Sequence, residues 1–361
     1  YFFNLTFMKK NPLILLFSIV TLFNCKAQQL SMYVGTYTDG DSEGIYKLTF
    51  NTTTGVLTNK QLAAKTENPS YLSYPPDKKH IYAVNENEKG MVSAFEIQDN
   101  GHLKSLNKVS THGAHPCHVA INKSGNKAIV SNYTGGNASI YSIKNDGSLT
   151  EAFQVLDHNI DSTVSHVHSA QFYKNQLYIS DLGKNAVSNY QLENNIYKLV
   201  NSSMVDLTNN AGPRHFSLTN NGEFVYIINE YGSSITTGKK NKNGFDKIDE
   251  DSTLEVNYEG KNSCADIHLS KDEHFLYASN RGENTIAVFK RDTNKGTINK
   301  IQTISVHGNW PRNFTLDPTG KFLLVANRWS HNISVFSVNT STGMLKFMHD
   351  TKISEPVCLL F

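Results

Sequence analysis

Residues 212–230 read GPRHFSLTNNGEFVYIINE. Arg214 and His215 follow a proline, a polar turn intervenes, and Glu230 ends the second of two apolar runs. If the two runs pair as strands, the turn returns Glu230 to the end where Arg214 starts. A guanidinium there can grip a carboxylate or phosphate with two parallel hydrogen bonds, and a carboxylate or imidazole can move a proton. The same types stand at like places elsewhere: His168 in SHVHSA, Arg281 in YASNR, Arg312 in PRNF and Arg328 in VANR. Together they suit a small anionic molecule undergoing proton transfer. No Walker loop, GxSxG elbow, HExxH pair or Rossmann glycine pattern is present. Neither a metal nor an organic cofactor is expected.

The elements that must position these residues form a repeat. PSYLSYPPDKKHIYAVNE (69–86), PCHVAINKSGNKAIVSNY (116–133), VHSAQFYKNQLYISDL (167–182), PRHFSLTNNGEFVYIINE (213–230), CADIHLSKDEHFLYASNR (264–281) and PRNFTLDPTGKFLLVANR (311–328) share one layout. Each has a short alternating strand, a polar turn and a second apolar strand with a polar tip. A third strand follows most tips, as in TIAVFKR (285–291), and then a fourth, more polar one. Period-two patterning at this spacing predicts an all-β protein, and four strands per unit predict a β-propeller. Six units need a seventh. Residues 31–62 lack a first strand, and PVCLLF (356–361) supplies it, so the ring closes through a blade shared by both ends. The expectation is a seven-bladed β-propeller, as a single domain over 28–361.

Aligned blades define rings of equivalent positions on one face. After the Pro-like anchor come Ser70, Cys117, His168, Arg214, Ala265, Arg312 and Val357. The next positions are Tyr71, His118, Ser169, His215, Asp266, Asn313 and Cys358. The tips are Tyr37, Glu86, Tyr133, Leu182, Glu230, Arg281 and Arg328. A structural repeat would keep one type per ring, whereas these vary and are rich in charge. Arg214, Arg281, Arg312 and Arg328 are expected to form a positive cluster. His118 and Asp266 are candidate substrate contacts that also suit scaffolding, as do His215 and His268. The charged stretch KKNKNGFDKIDEDS (239–252) is expected to be a long surface loop.

Net charge is +2, from 34 Lys and Arg against 32 Asp and Glu, which gives no bulk field for nucleic acid. Met8-Lys9-Lys10, the apolar run 11–23 and Cys25-Lys26-Ala27 have the grammar of a secretory signal. Residues 1–27 are therefore expected to be upstream sequence and leader, with Met8 as the start. Cleavage after Ala27 and lipidation of Cys25 are both compatible with it. The product is then exported, periplasmic or lipid-anchored, and lipid on Cys25 would be its membrane attachment. A monomer is expected. Cys117, Cys264 and Cys358 match no metal or disulfide spacing and read as buried side chains.

YVGTYT, the VHSA stretch, GPRH with INE, ADIH with SNR, and PRNF with SHNISVF resemble, in order over 31–361, the seven-bladed β-propeller lactonase family. That family includes propeller-type bacterial 6-phosphogluconolactonase and fungal carboxymuconate-lactonizing enzyme. The resemblance implies a lactonase acting on 6-phosphogluconolactone or another anionic lactone or sugar acid. It also implies an active-site set of His168, Arg214, Glu230 and Arg281, with the remaining arginines, Arg312 and Arg328, on the substrate's anionic tail. Glu230 or His168 would take water's proton, and an arginine would hold the oxyanion. A lactonizing lyase, or a propeller that only binds an anion or a partner protein, would use the same fold.

Overall fold

The computed structural model describes residues 1–3 and 28–361; the expected leader, with Met8 and Cys25, lies outside the described residues. All regular structure among the described residues is β-strand, arranged as seven antiparallel sheets of four strands. Each sheet is a blade of a propeller. The closing blade runs Pro356–Leu360, Gln29–Thr36, Gly44–Asn51, Leu57–Lys65, so the C-terminal strand is the innermost strand of the first blade. It is latched on both sides, because Leu359 N–H donates to Asn313 Oδ1 at 2.8 Å and Leu72 N–H donates to Cys358 Sγ at 3.3 Å.

The core lies between blades. Phe224, Tyr226 and Ile228 of one second strand pack on Leu276, Ala278 and Phe289 of the next blade, all fully buried. A repeated tyrosine fixes the spacing. The hydroxyls of Tyr33, Tyr82, Tyr226 and Tyr277 donate to the carbonyls of Gly101, Gly147, Gly296 and Gly343, each in a turn of the following blade. Such a bond contributes about 1 kcal/mol net, and leaving the carbonyl bare would cost more. Tyr82, Phe95, Phe224, Phe289, Phe322 and Phe336 are all buried in this core.

Two local readings change. Residues 239–252 are not a loop: Ser234–Lys240 and Phe245–Ser252 pair as the outer hairpin of their blade. The outermost strand has an open edge, where charge is the usual protection against further pairing, so high polarity there does not mark a loop. The innermost strand over 69–74 shrinks to Leu72–Ser73, because Pro75 and Pro76 follow and lack an N–H for the ladder.

Candidate active site

Two backbone devices aim side chains at the mouth of the central channel. The first is a register shift at the start of the inner strand. It falls between Pro116 and His118, Val167 and Ser169, Pro213 and His215, and Pro311 and Asn313. The skipped residues are Cys117, His168, Arg214 and Arg312, all from the first ring. An extra residue at a β-bulge is free of the ladder and can be re-aimed, which explains why this ring carries the unusual types. The second device is a left-handed residue before the anchoring proline: Asn68, His115, Gly212, Trp310 and Glu355, with φ between 41° and 68°. Its carbonyl accepts from the N–H of the tip residue, respectively Glu86, Tyr133, Glu230, Arg328 and Tyr37. The tips are thereby folded over the channel mouth.

Glu230 stands at the centre. Its Oε2 is 3.0 Å from Arg214 Nε and 2.8 Å from Arg281 Nη2, with the carboxylate 16% exposed. The Arg214 Nε–H is not aligned on that oxygen and has no hydrogen-bond partner although it is buried. Arg281 is pinned by Ser263 and Cys264 carbonyls, at 3.2 and 2.9 Å, and its guanidinium lies 5.2 Å from the Trp310 ring. His168 is buried, with its ring 5.2 Å from that of His215 and edge-on to Tyr133 at 5.6 Å. Cys117 Sγ is 3.3 Å from the His168 carbonyl and 3.8 Å from its Nδ1. With the thiol donating to that carbonyl, we assign the imidazole proton to Nδ1, which leaves the Nε2 lone pair free.

Behind this set is a scaffold. Asp266, 2% exposed, accepts from His215 Nδ1 (2.8 Å), His268 Nε2 (3.0 Å), Asn313 Nδ2 (2.6 Å), and the Ile267 and Phe314 amides (3.0 and 3.3 Å). His215 Nε2 is then left to accept from Arg214 Nη1 at 3.4 Å, and the same Nη1 donates to the Ala265 carbonyl. Asp266 is thus a saturated anion that holds His215, and through it Arg214. It has no capacity left for the substrate contact expected of it. His118 likewise faces inward: it accepts from Ala170 N–H at 3.5 Å and packs on Tyr71 at 4.4 Å. These residues line the other half of the channel, a cavity of about 400 Å³ that His168, Arg214, Glu230 and Arg281 do not reach.

Charge states follow from burial. Burial first, then Arg214, His215, Arg312 and Arg281, hold the His168 pKa well below the usual histidine range, so it is neutral. Burial and His215 do the same to His118. His215 is pulled down to about 4, by burial and then Arg214, against the opposing hydrogen bond to Asp266. Burial pulls Arg214 down to about 10, with Arg281 and Arg312 adding to it, so it stays charged at neutral pH.

The remaining arginines do not form the open positive cluster expected. Arg312 Nη2 pairs with Glu86 Oε2 at 3.2 Å, and Tyr37 OH donates to the same oxygen at 2.8 Å. Arg328 lies outward, between Asp39 and Glu355 at 3.2 Å each, over the Tyr37 ring at 4.1 Å. Every arginine of the mouth therefore has a carboxylate beside it, and the tip residue Glu86 is the partner of Arg312. Sequence alone could not show pairing across the ring, where Arg312 and Glu86 are 226 residues apart.

One further residue stands out by type. Trp310 occupies the left-handed position that Gly212 and Asn68 fill in other blades, at φ 67°. A bulky side chain there costs about 1–2 kcal/mol. Trp310 stacks on Trp329 with centroids 3.8 Å apart, which returns about 0.5–1.5 kcal/mol beyond burial. Glycine or asparagine fills the same backbone position in other blades, so the turn alone does not call for tryptophan there.

Comparison with known proteins agrees on the fold. The family model described as "Lactonase, 7-bladed beta-propeller" matches residues 31–361. The chain is 30% identical to the 6-phosphogluconolactonase of Bacillus subtilis strain 168 over 341 residues, covering 91% of this chain and 97% of that one. It is 33% identical to the 6-phosphogluconolactonase of Formosa agariphila, covering 87% and 94%. Among solved structures, the periplasmic gluconolactonase of Pseudomonas aeruginosa superposes with a TM-score of 0.85 at 27% identity, covering 92% and 98%.

Proposed function

The chain belongs to the seven-bladed β-propeller lactonase family, and we propose that it hydrolyses a sugar lactone at the channel mouth, with Glu230 as the base. The observation that carries this reading is the Arg214–Glu230–Arg281 cluster. One carboxylate oxygen faces two guanidinium groups, the other remains for a water, and the buried Arg214 Nε–H beside the first oxygen makes no aligned hydrogen bond.

In this reading a water donates one hydrogen bond to Glu230 Oε1 and another to neutral His168 Nε2. It attacks the lactone carbonyl carbon, its proton passes to Glu230, and the carbonyl electron pair becomes an oxyanion. Arg214 Nε–H and Arg281 stabilise that charge, an effect worth about 10²–10³ in rate when one such donor is removed. Collapse breaks the ring C–O bond, and Glu230 returns the proton to the leaving alkoxide. The product is a hydroxy acid, whose carboxylate the two arginines then face. Glu230 suits the base because water reaches it. His168 is buried, and four positive or imidazole neighbours oppose its protonation.

The pairing of Arg312 with Glu86 favours a lactone without a phosphate, since a phosphate would have to displace that carboxylate. The basic, apolar leader supports action outside the cytoplasm, where phosphosugars are not the ordinary substrates. The test is a hydrolysis assay with gluconolactone and 6-phosphogluconolactone. The reading expects both the rate above spontaneous hydrolysis and kcat/KM to be greater for the unphosphorylated lactone. Preference for the phosphorylated one would overturn the substrate choice, and no acceleration of either would overturn the activity.

A further inference from the structure

The two tryptophans of the chain, Trp310 and Trp329, lie against each other at the channel mouth. Their stack begins on the guanidinium of Arg281, which lies 5.2 Å from the Trp310 ring, and ends on Trp329, which is 50% exposed. The backbone beneath is held at three points. Trp310 N–H donates to Asn284 Oδ1 (2.9 Å), Trp329 N–H to the Asn309 carbonyl (3.1 Å), and Asn309 N–H to Ser330 Oγ (2.7 Å). The result is a pre-organised aromatic surface continuous with the reacting cluster. The left-handed position does not itself require an indole, since glycine or asparagine fills it in other blades, so the residue type calls for another explanation. Exposed indole faces with a rigid support match the apolar C–H faces of pyranose rings.

We propose that the Trp310–Trp329 stack is a saccharide-binding subsite, and that the lactone hydrolysed beside it is the terminal unit of a longer, uncharged saccharide. The proposal rests on the sugar-lactone reading above and specifies its substrate class. Charge supports the choice. Arg328, next to Trp329 in the chain, is already paired with Asp39 and Glu355, so the surface beyond Arg281 offers a stacking face and no open arginine. The outer face of Trp329 lies one ring stack beyond Trp310, within reach of one or two further sugar units. Oxidation at the anomeric carbon of a saccharide's reducing end is the class of reaction that would supply such a lactone.

The test compares kcat/KM for the aldonolactones of glucose, its β-1,4-linked disaccharide and trisaccharide, and the α-1,4-linked counterparts, using the full chain. For at least one linkage the extended lactone should exceed the monosaccharide by about tenfold, the scale of one good aromatic contact. Trp329→Ala should bring that ratio to about one, and Trp329→Phe should keep most of it. A wild-type ratio near one, or a high ratio that Trp329→Ala leaves in place, overturns the subsite. Binding of the matching aldonic acids, followed by indole fluorescence, separates this from the activity itself. If the protein accelerates no lactone, the sugar-lactone reading fails. Saccharide-dependent quenching that Trp329→Ala abolishes would then still support the subsite, and no quenching would overturn it.

Discussion

Lowering the pH from 7 to 5 should remove a large part of the protein's stability, because three channel imidazoles are held neutral. His118, His168 and His215 all have folded-state pKa values below the ordinary 6.5, owing first to burial. The unfolded chain therefore binds protons below pH 6.5 that the folded chain refuses, and stability present above 6.5 is lost as pH falls toward the folded value. Each such proton changes the unfolding free energy by about 1.4 kcal/mol per pH unit. Between pH 6.5 and 5 each histidine thus contributes about 2 kcal/mol of loss. His268 works in the opposite direction: Asp266 raises its pKa against burial, so its contribution builds as pH falls through that raised value to 6.5 and is constant below it. The three together lose on the order of 6 kcal/mol, partly offset by Asp251, whose pKa burial and then Asp249 push up to about 6; a net loss on the order of 4–6 kcal/mol is comparable to the whole stability of a modest domain. Urea unfolding at closely spaced pH values measures it directly. His118→Asn supplies an internal control, since an amide oxygen can still accept from Ala170 N–H but does not titrate. Its dependence on pH should be shallower by about one proton. A stability that is flat to within about 1 kcal/mol between pH 7 and 5 would refute the neutral, buried assignment, and with it the role given to His168.

Three further outcomes follow from the same geometry. His215→Asn keeps a donor toward Asp266 but loses the acceptor for Arg214, whereas His215→Gln keeps an acceptor near the Nε2 position. The first should lower kcat by at least about tenfold with the protein folded, and the second should lower it less; equal activity in both would remove His215 from the support of Arg214. Tyr277→Phe bares the buried Gly343 carbonyl and should cost about 1–3 kcal/mol in urea unfolding, with kcat unchanged. Arg281→Lys keeps the charge but loses the planar fork that meets Glu230, two carbonyls and Trp310, and should lower kcat/KM by about 10²-fold.

The architecture was legible because each blade repeats the same strand pair, and the ring positions could be aligned through their prolines. That alignment brought His168, Arg214, Glu230 and Arg281 to one face before any coordinates. Two things were not legible. The inner-strand bulge leaves no signature in residue type, so the alignment could say that Arg214 and His168 were unusual but not that both leave the ladder. Pairing across the ring also depends on side-chain reach, which is why the sequence groups the arginines as a positive cluster and does not show the carboxylates beside them. The full extent of Asp266's scaffolding is hidden for a related reason: its five donors come from three different blades. Residues 239–252 looked like a loop because an outer strand at an open edge has the composition of one. Trp310 could have been noticed, since it stands before Pro311 where Gly212 stands before Pro213.

The central claim is that Glu230, held between Arg214 and Arg281, is the base that activates water. Glu230→Gln keeps the volume and removes the proton acceptor, so its kcat on the preferred sugar lactone, above the spontaneous rate, is the measurement that tests the claim most directly. The account predicts a fall of about 10²–10⁴-fold with little change in KM. A kcat within about threefold of wild type, in a variant whose urea midpoint shows it folded, would contradict it.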